Sequence, residues 1–129
     1  MCEIFIVDDN GDDRFLIKTA INRLNPECTL TEFSTGDALY RHAISEQPLV
    51  VPDFIILDIN LPGHNGLDVL LELRKVEKYK TLPVSIFSTS DREVDMARAK
   101  AVGATAYYTK PLHFEGFVSV LGDMLAHVA

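Results

Sequence analysis

Positive charge, long apolar runs and cysteine are all scarce in this sequence, and each shortage removes a class of function. Twelve Lys and Arg stand against 19 Asp and Glu in 129 residues, a formal net charge of −7. A chain so acidic lacks the positive surface that nonspecific nucleic-acid binding requires, and it has no polybasic segment for an anionic membrane. No apolar run approaches the length that spans a bilayer. The opening, MCEIFIVDDN, has no basic segment ahead of its apolar residues and turns acidic at once, so it does not read as a secretory signal. The two cysteines, Cys2 and Cys28, have no metal-ligand spacing. Their plain reading is a pair of buried thiols in a reducing cytosol, and a disulfide requires their strands to be neighbours. Internal repeats, low-complexity tracts and linkers are absent as well. Nearly half of the residues are apolar, enough for one core, and residues 1–129 are expected to form a single domain.

What is present is an alternation. Apolar runs of strand length occupy Glu3–Val7, Thr29–Phe33, Phe54–Leu57, Val84–Ser88 and Ala106–Tyr108. Helical spacing fills the gaps: Ile17, Ala20, Ile21 and Leu24; Leu67, Leu70, Leu71 and Leu73; and Phe114, Phe117, Val118, Leu121 and Leu125. The fourth helical stretch has a thinner pattern, at Val94, Ala97 and Ala101, which predicts light anchoring. Asp12 is expected to cap the first helix, Asn25-Pro26 to stop it, and Thr35-Gly36-Asp37 to open the second. Ser90 or Thr89 is a candidate cap for a helix starting near Asp91, and Gly103 sits where helices end. Five strands alternating with five helices imply an α/β fold, a doubly wound parallel sheet covered on both faces. In the flavodoxin-like form of that fold the strand order is 2-1-3-4-5, and ligands bind beyond the carboxyl ends of the strands.

That rule gathers chemistry. The first strand ends in Asp8-Asp9, the third in Asp58, the fourth in Ser88-Thr89 and the fifth in Lys110-Pro111. Three carboxylates brought together repel one another, and one lysine cannot neutralise them. A hard divalent cation with oxygen ligands can, and Mg²⁺ suits such a set. With a cation and Lys110 in place, one carboxylate can act as nucleophile toward phosphorus and form an aspartyl phosphate. Asp58, alone at the end of a central strand, is the best candidate, while the pair Asp8 and Asp9 suits the metal. A hydroxyl at the end of strand four can donate to a phosphoryl group only once it is attached.

These stretches resemble the response-regulator receiver domain of two-component signalling, over essentially the whole length from Glu3 to about Leu125. "IFIVDDN" resembles that family's first strand and acidic pair, "IILDINLPGHNGLDVL" its phosphoacceptor strand and loop, "LPVSIFSTS" its fourth strand, and "GATAYYTKPL" its fifth strand with Lys-Pro. The resemblance implies that Asp58 is phosphorylated, that Asp9 holds Mg²⁺ directly with Asp8 assisting through water, and that the backbone carbonyl of Asn60 supplies a further oxygen. It implies that Lys110 pairs with the phosphoryl group and that Ser88 is the switch hydroxyl. It makes Tyr107 the aromatic switch and Thr89 a neighbour that narrows access to the site. It makes the Lys110-Pro111 bond cis. Implied partners are a histidine kinase or histidine phosphotransfer protein and a downstream protein, in the cytoplasm, with no nucleic acid or membrane. The segments "DNxxD" and "LPGHNG" also resemble stand-alone receivers partnered with phytochrome-type kinases, and the starting methionine agrees with a free-standing protein. With no residues left over for a DNA-binding output domain, output is expected through protein contact or onward phosphotransfer.

Blander readings stand beside these. Asp8-Asp9 taken alone is a solvated strand end, Lys110 taken alone a surface charge, and Asp12-Asp13 a helix start that favours negative charge. One of Tyr107 and Tyr108 is expected to be plain packing. His42, His64, His113 and His127 are scattered without ligand spacing. Three other functions compete. An Mg²⁺-dependent phosphatase would want a second acid two residues after the nucleophile, where this chain has Asn60. A receiver-like module without phosphorylation would not need the acidic set. A flavodoxin-like electron carrier would need a phosphate-binding loop after the first strand, and none is seen.

Overall fold

The computed structural model describes residues 2–45 and 50–128, and of Val128 only the backbone. Strands β1 (Glu3–Val7), β2 (Thr29–Phe33), β3 (Phe54–Leu57), β4 (Val84–Ser88) and β5 (Ala106–Thr109) alternate with helices α1 (Gly11–Leu24), α2 (Gly36–Ile44), α3 (Gly66–Leu73), α4 (Glu93–Ala101) and α5 (Phe114–Val128). All strand pairs are parallel, in the order β2-β1-β3-β4-β5, as the pattern predicted.

Successive strand residues face opposite sides, so a sheet covered on both faces needs apolar residues at every position. β1 shows this directly. Ile4 and Ile6 pack with Ile17, Ala20 and Ile21 of α1 and with Phe117, Leu121 and Met124 of α5. Phe5 and Val7 point the other way, toward Leu39 and Ala43 of α2 and Leu67, Leu70 and Leu73 of α3. Each fully buried side chain of this size stabilises the fold by about 1.5–3 kcal/mol.

The helix ends refine the expectations. Asn10, not Asp12, caps α1: its Oδ1 accepts from the N–H groups of Asp12 at 2.9 Å and Asp13 at 3.2 Å. The helix starts two residues sooner than charge alone suggested, because Asn at the junction satisfies two orphan donors. Thr35 caps α2 as expected. α4 begins at Glu93 after Arg92, without a side-chain cap; the Ser90 hydroxyl instead accepts from the Arg92 N–H and donates to Asp95. Its buried residue is Ala99, whereas Val94 is 63% exposed and Ala97 and Ala101 are exposed too. The helix is lightly anchored, but through a different residue from those its apolar pattern singled out. Ion pairing of Arg98 with Asp68 of α3 supplements that single alanine. Leu71 likewise turns outward, and Met124 takes a core position.

Two further expectations are corrected. Cys2 and Cys28 form a disulfide, with Cα atoms 4.5 Å apart. They immediately precede β1 and β2, which pair, and the Thr29 N–H donates to the Cys2 carbonyl at 2.7 Å. Neighbouring strands thus satisfy the condition for the bond. No cis peptide occurs among the described residues, so Lys110-Pro111 is trans. Trans is the intrinsically preferred isomer even before proline, and with it the Lys110 side chain already reaches the carboxylates.

Candidate phosphoacceptor and cation site

The carboxyl ends of β1, β3 and β5 bring Asp8, Asp9, Asp58 and Lys110 together. Asp8 follows β1, where its N–H donates to Phe33 at 3.0 Å. Asp58 follows β3, where its N–H donates to Val7 at 2.9 Å. The Lys110 N–H donates to Ser88 at 2.7 Å. Backbone pairing therefore continues one residue past each strand and fixes where these side chains leave the sheet. Asp8, Asp58 and Lys110 are 2%, 5% and 9% exposed, while Asp9 lies at the open rim. Buried charges survive only when paired, and the pairing here is dense. The Lys110 ammonium donates to Asp8 Oδ2 at 2.6 Å, to Asp13 Oδ2 at 2.8 Å and to Asp58 Oδ2 at 2.9 Å. Its three N–H donors are matched by three carboxylates.

The electrostatics follow. Burial alone would push the Lys110 ammonium toward losing its proton. The hydrogen bonds from Asp13 and Asp8 and the charge of Asp58 more than offset this and hold it above the ordinary lysine range. Burial pushes the Asp8 carboxyl up, while its bonds with Lys110 and the Asn10 N–H draw it part of the way back. Asp8, Asp9 and Asp58 each offer an oxygen, and these oxygens lie within 4.8 Å of one another. Four carboxylates, counting Asp13, face one ammonium. An all-oxygen, strongly negative, partly open set fits a hard divalent cation such as Mg²⁺.

The loop after β3 is folded back on the site. The Asn60 N–H donates to Asp58 Oδ1 at 3.3 Å, Asn60 bridges to Asn65, and the Gly66 N–H donates to Ile59 at 2.7 Å. A Cβ on Gly66 would overlap the Asp58 carbonyl oxygen, so only glycine lets α3 start this close to the strand end. Asn65 caps α3 through the Leu67 N–H at 2.8 Å.

Ser88 and Tyr107 stand on the neighbouring strands rather than on the carboxylates. Ser88 is fully buried, and its hydroxyl accepts from the Ser90 N–H at 3.3 Å. The Tyr107 hydroxyl donates to the Ser90 carbonyl at 2.8 Å. Thr89 is exposed between them, and Pro111 is half-buried beside Gly116. Tyr108 packs against the α1–α5 side and donates to Asp123, so it is the packing tyrosine of the pair. His42 is also structural. Its ring meets Phe5 and Phe33 edge-on, and its Nε2 lies 2.9 Å from the Val50 carbonyl oxygen.

Sequence reasoning missed Asp13, which it read as a helix-start charge. No spacing singled it out: Asp12 and Asp13 lie side by side in the first turn of α1, and only the fold turns one of them toward Lys110.

The chain matches the family model described as "Response regulator receiver domain" over residues 4–121. It is 30% identical over 126 residues to Protein PilH of Pseudomonas aeruginosa, covering 98% of this chain and 99% of that protein. It is 33% identical over 124 residues to the nitrate/nitrite response regulator protein NarL of Escherichia coli, covering 95% of this chain and 54% of that one. Among solved structures it is similar to the phosphorylated cyanobacterial phytochrome response regulator RcpA, with a TM-score of 0.91 and 26% identity over 98% of this chain and 93% of the other. It shares its fold with the Mn(2+)-bound form of response regulator Rcp1, at a TM-score of 0.89 and 24% identity, over 100% and 98% of the two chains.

Proposed function

Because this chain belongs to the response-regulator receiver domain family of two-component signalling, we propose that Asp58 is its phosphoacceptor, loaded by a histidine kinase or histidine phosphotransfer protein with Mg²⁺ as cofactor. The observation that carries the reading is the Lys110 ammonium, 4% exposed at its side chain and ion-paired to both Asp8 and Asp58. A buried cation at that place sits where a phosphoryl group on Asp58 would put its oxygens.

In the transfer, an Asp58 carboxylate oxygen forms a bond to phosphorus while the P–N bond of the donor phosphohistidine breaks, and the imidazole leaves with its electron pair and takes a proton. Asp8, Asp9, Asp58 and the Asn60 carbonyl would hold the cation, which offsets negative charge on the phosphoryl oxygens. Lys110 supplies a second, fixed positive charge. The Asn60 N–H orients the Asp58 carboxylate. Loss of the phosphoryl group to water restores Asp58, so the domain behaves as a timed signalling protein and not as a classical enzyme. In this reading Thr89, exposed just after β4, limits the approach of that water.

Ser88 and Tyr107 form the switch in this reading. A phosphoryl oxygen draws the Ser88 hydroxyl away from the Ser90 N–H, and Tyr107 then gives up its bond to the Ser90 carbonyl and turns inward. The equilibrium shifts toward a second form of the α4–β5–α5 surface, which a downstream protein reads. Pro111 ends β5 and sets the direction in which the chain leaves Lys110. The working compartment in this reading is the cytoplasm, where histidine kinases expose their phosphorylated histidine. The net charge of −7 supports protein rather than nucleic-acid partners.

The test is incubation with acetyl phosphate and Mg²⁺, followed by intact mass and peptide mapping. One phosphoryl group on the peptide containing Asp58 is expected. Its attachment elsewhere, or to the Asp58→Asn variant, sinks the assignment.

A further inference from the structure

We propose that Asp13 is a positioning residue for phosphoryl transfer, the fixed anchor that keeps the Lys110 ammonium over Asp58 while its other two partners change roles. The inference rests on the reading of Asp58 as phosphoacceptor. Lys110 spends its three donors on Asp8, Asp13 and Asp58. Two of those acceptors are claimed during the reaction: Asp8 belongs to the cation set, and Asp58 takes the phosphoryl group. Asp13 belongs to neither, since the oxygens close enough to share a cation are those of Asp8, Asp9 and Asp58. Its bond to Lys110 is the one of the three that the reaction leaves in place.

A helix-start role does not account for this contact. Asp12 and Asp13 both lie in the first turn of α1, and both backbone N–H groups are satisfied by Asn10. Asp12 is exposed and supplies the same favourable charge at the helix start without touching Lys110. Asp13 instead spans 97 residues of sequence to reach the ammonium at 2.8 Å, with its own side chain only 22% exposed. Lysine is a compact charge on a flexible four-carbon stem, and holding it costs rotamer freedom. A third acceptor outside the reacting set prepays that ordering, so the ammonium need not be recaptured when Asp58 is modified.

The experiment compares the initial rate of Asp58 phosphorylation by acetyl phosphate, at saturating donor and Mg²⁺, in wild type, Asp13→Ala, Asp13→Asn and Asp12→Asn. In this step the P–O bond to acetate breaks and acetate leaves. Asp13→Ala should be slower by about tenfold or more, with little change in the donor concentration giving half-maximal rate. Asp13→Asn, which keeps an acceptor oxygen in place, should recover part of the rate. Asp12→Asn should match wild type. A second readout needs neither donor nor cation: the ¹⁵N signal of the Lys110 ammonium, protected from solvent exchange in wild type, should be lost in Asp13→Ala. Equal rates in wild type and Asp13→Ala, an equal loss in Asp12→Asn, or a Lys110 signal unchanged in Asp13→Ala would overturn the proposal. A wild type that accepts no phosphoryl group would overturn the phosphoacceptor reading itself. If Asp13→Ala does not fold, Asp13→Leu, which fills the space and removes the acceptor, carries the same comparison.

Discussion

Replacing Lys110 by methionine, which keeps most of the side-chain volume and removes the charge, perturbs the most demanding part of the molecule. The ammonium makes three ion pairs, at 2.6, 2.8 and 2.9 Å, from a side chain that is 4% exposed. At an effective dielectric of about 20, Coulomb's law gives each such pair about 6 kcal/mol. Most of that is offset by the several kcal/mol each ion loses in leaving water, so the three pairs do not sum to stability. Their loss is costly for another reason: Asp8 and Asp58 stay buried with no cation between them. Breaking a buried pair from one side costs about 3–5 kcal/mol. For a domain of this length that is a fall in Tm of about 12–20 °C, measured by calorimetry at neutral pH in chelator. Two conditions should shrink the loss. Millimolar Mg²⁺ should stabilise the variant more than wild type, since the cation then meets Asp8, Asp9 and Asp58 with no resident ammonium; saturation at a hundred times Kd gives about 2.7 kcal/mol. Acid should help as well. The folded Asp8 carboxyl is already pushed up by burial, and without Lys110 it loses a contribution that draws it down. A group raised in the fold holds its proton more tightly there than in the open chain, so its contribution to stability is present at low pH and lost as pH rises. The deficit of Lys110→Met should therefore be largest at neutral pH and narrow as pH falls. A variant melting within about 1 kcal/mol of wild type in chelator at neutral pH would refute the idea that this lysine balances buried carboxylates.

The remaining predictions touch other parts of the molecule. Asp58→Asn removes one repelling charge while keeping an acceptor for Lys110, so it should melt higher than wild type in chelator, by about 1 kcal/mol; a lower Tm would contradict the charge accounting. Reducing the Cys2–Cys28 disulfide, or Cys28→Ser, frees a loop spanning 26 residues and should cost about 3 kcal/mol; two free thiols found by titrating denatured, unreduced protein would refute the bond. Burial, and then Asp123, which accepts its hydroxyl proton, push Tyr108 up to about 12. The folded state thus favours neutral Tyr108, a stabilisation intact below about pH 10 and lost as pH climbs toward 12. An ultraviolet titration of wild type should show a late step that Tyr108→Phe lacks; superimposable curves would refute it.

The sheet and its site were legible because their signals are categorical. An apolar run such as Phe54–Leu57, ended by a lone acid, can hardly be anything but a strand buried on both faces, and the topology rule then places Asp58 beside Asp8 and Lys110. What escaped depends on rotation and distance, which a linear pattern does not encode. Asp13 looked like a helix-start charge because electrostatics at a helix end explains an acid there without saying where its oxygens point. Asn10 was passed over as cap because the acids beside it satisfy the same preference. In α4 small residues made the apolar stripe ambiguous, and Ala99, not Val94, faces the sheet. Cys2 and Cys28 were separable only once β1 and β2 were known to pair from their first residues.

Ser90 sits where several of these threads cross. Its carbonyl takes the Tyr107 hydroxyl, its N–H meets Ser88, and its own hydroxyl reaches Asp95, which Arg92 also grips at 3.1 Å. α4 is thus hung from the sheet by one buried alanine and a polar hinge. Exchanging polar bonds opens no void in the interior, whereas lifting a well-packed apolar helix would. The segment after β4 can therefore be re-seated at small cost, since doing so would exchange hydrogen-bond partners rather than core volume. A surface built that way would answer to ionic strength and to single charge substitutions far more than α1 or α5, whose seats are apolar.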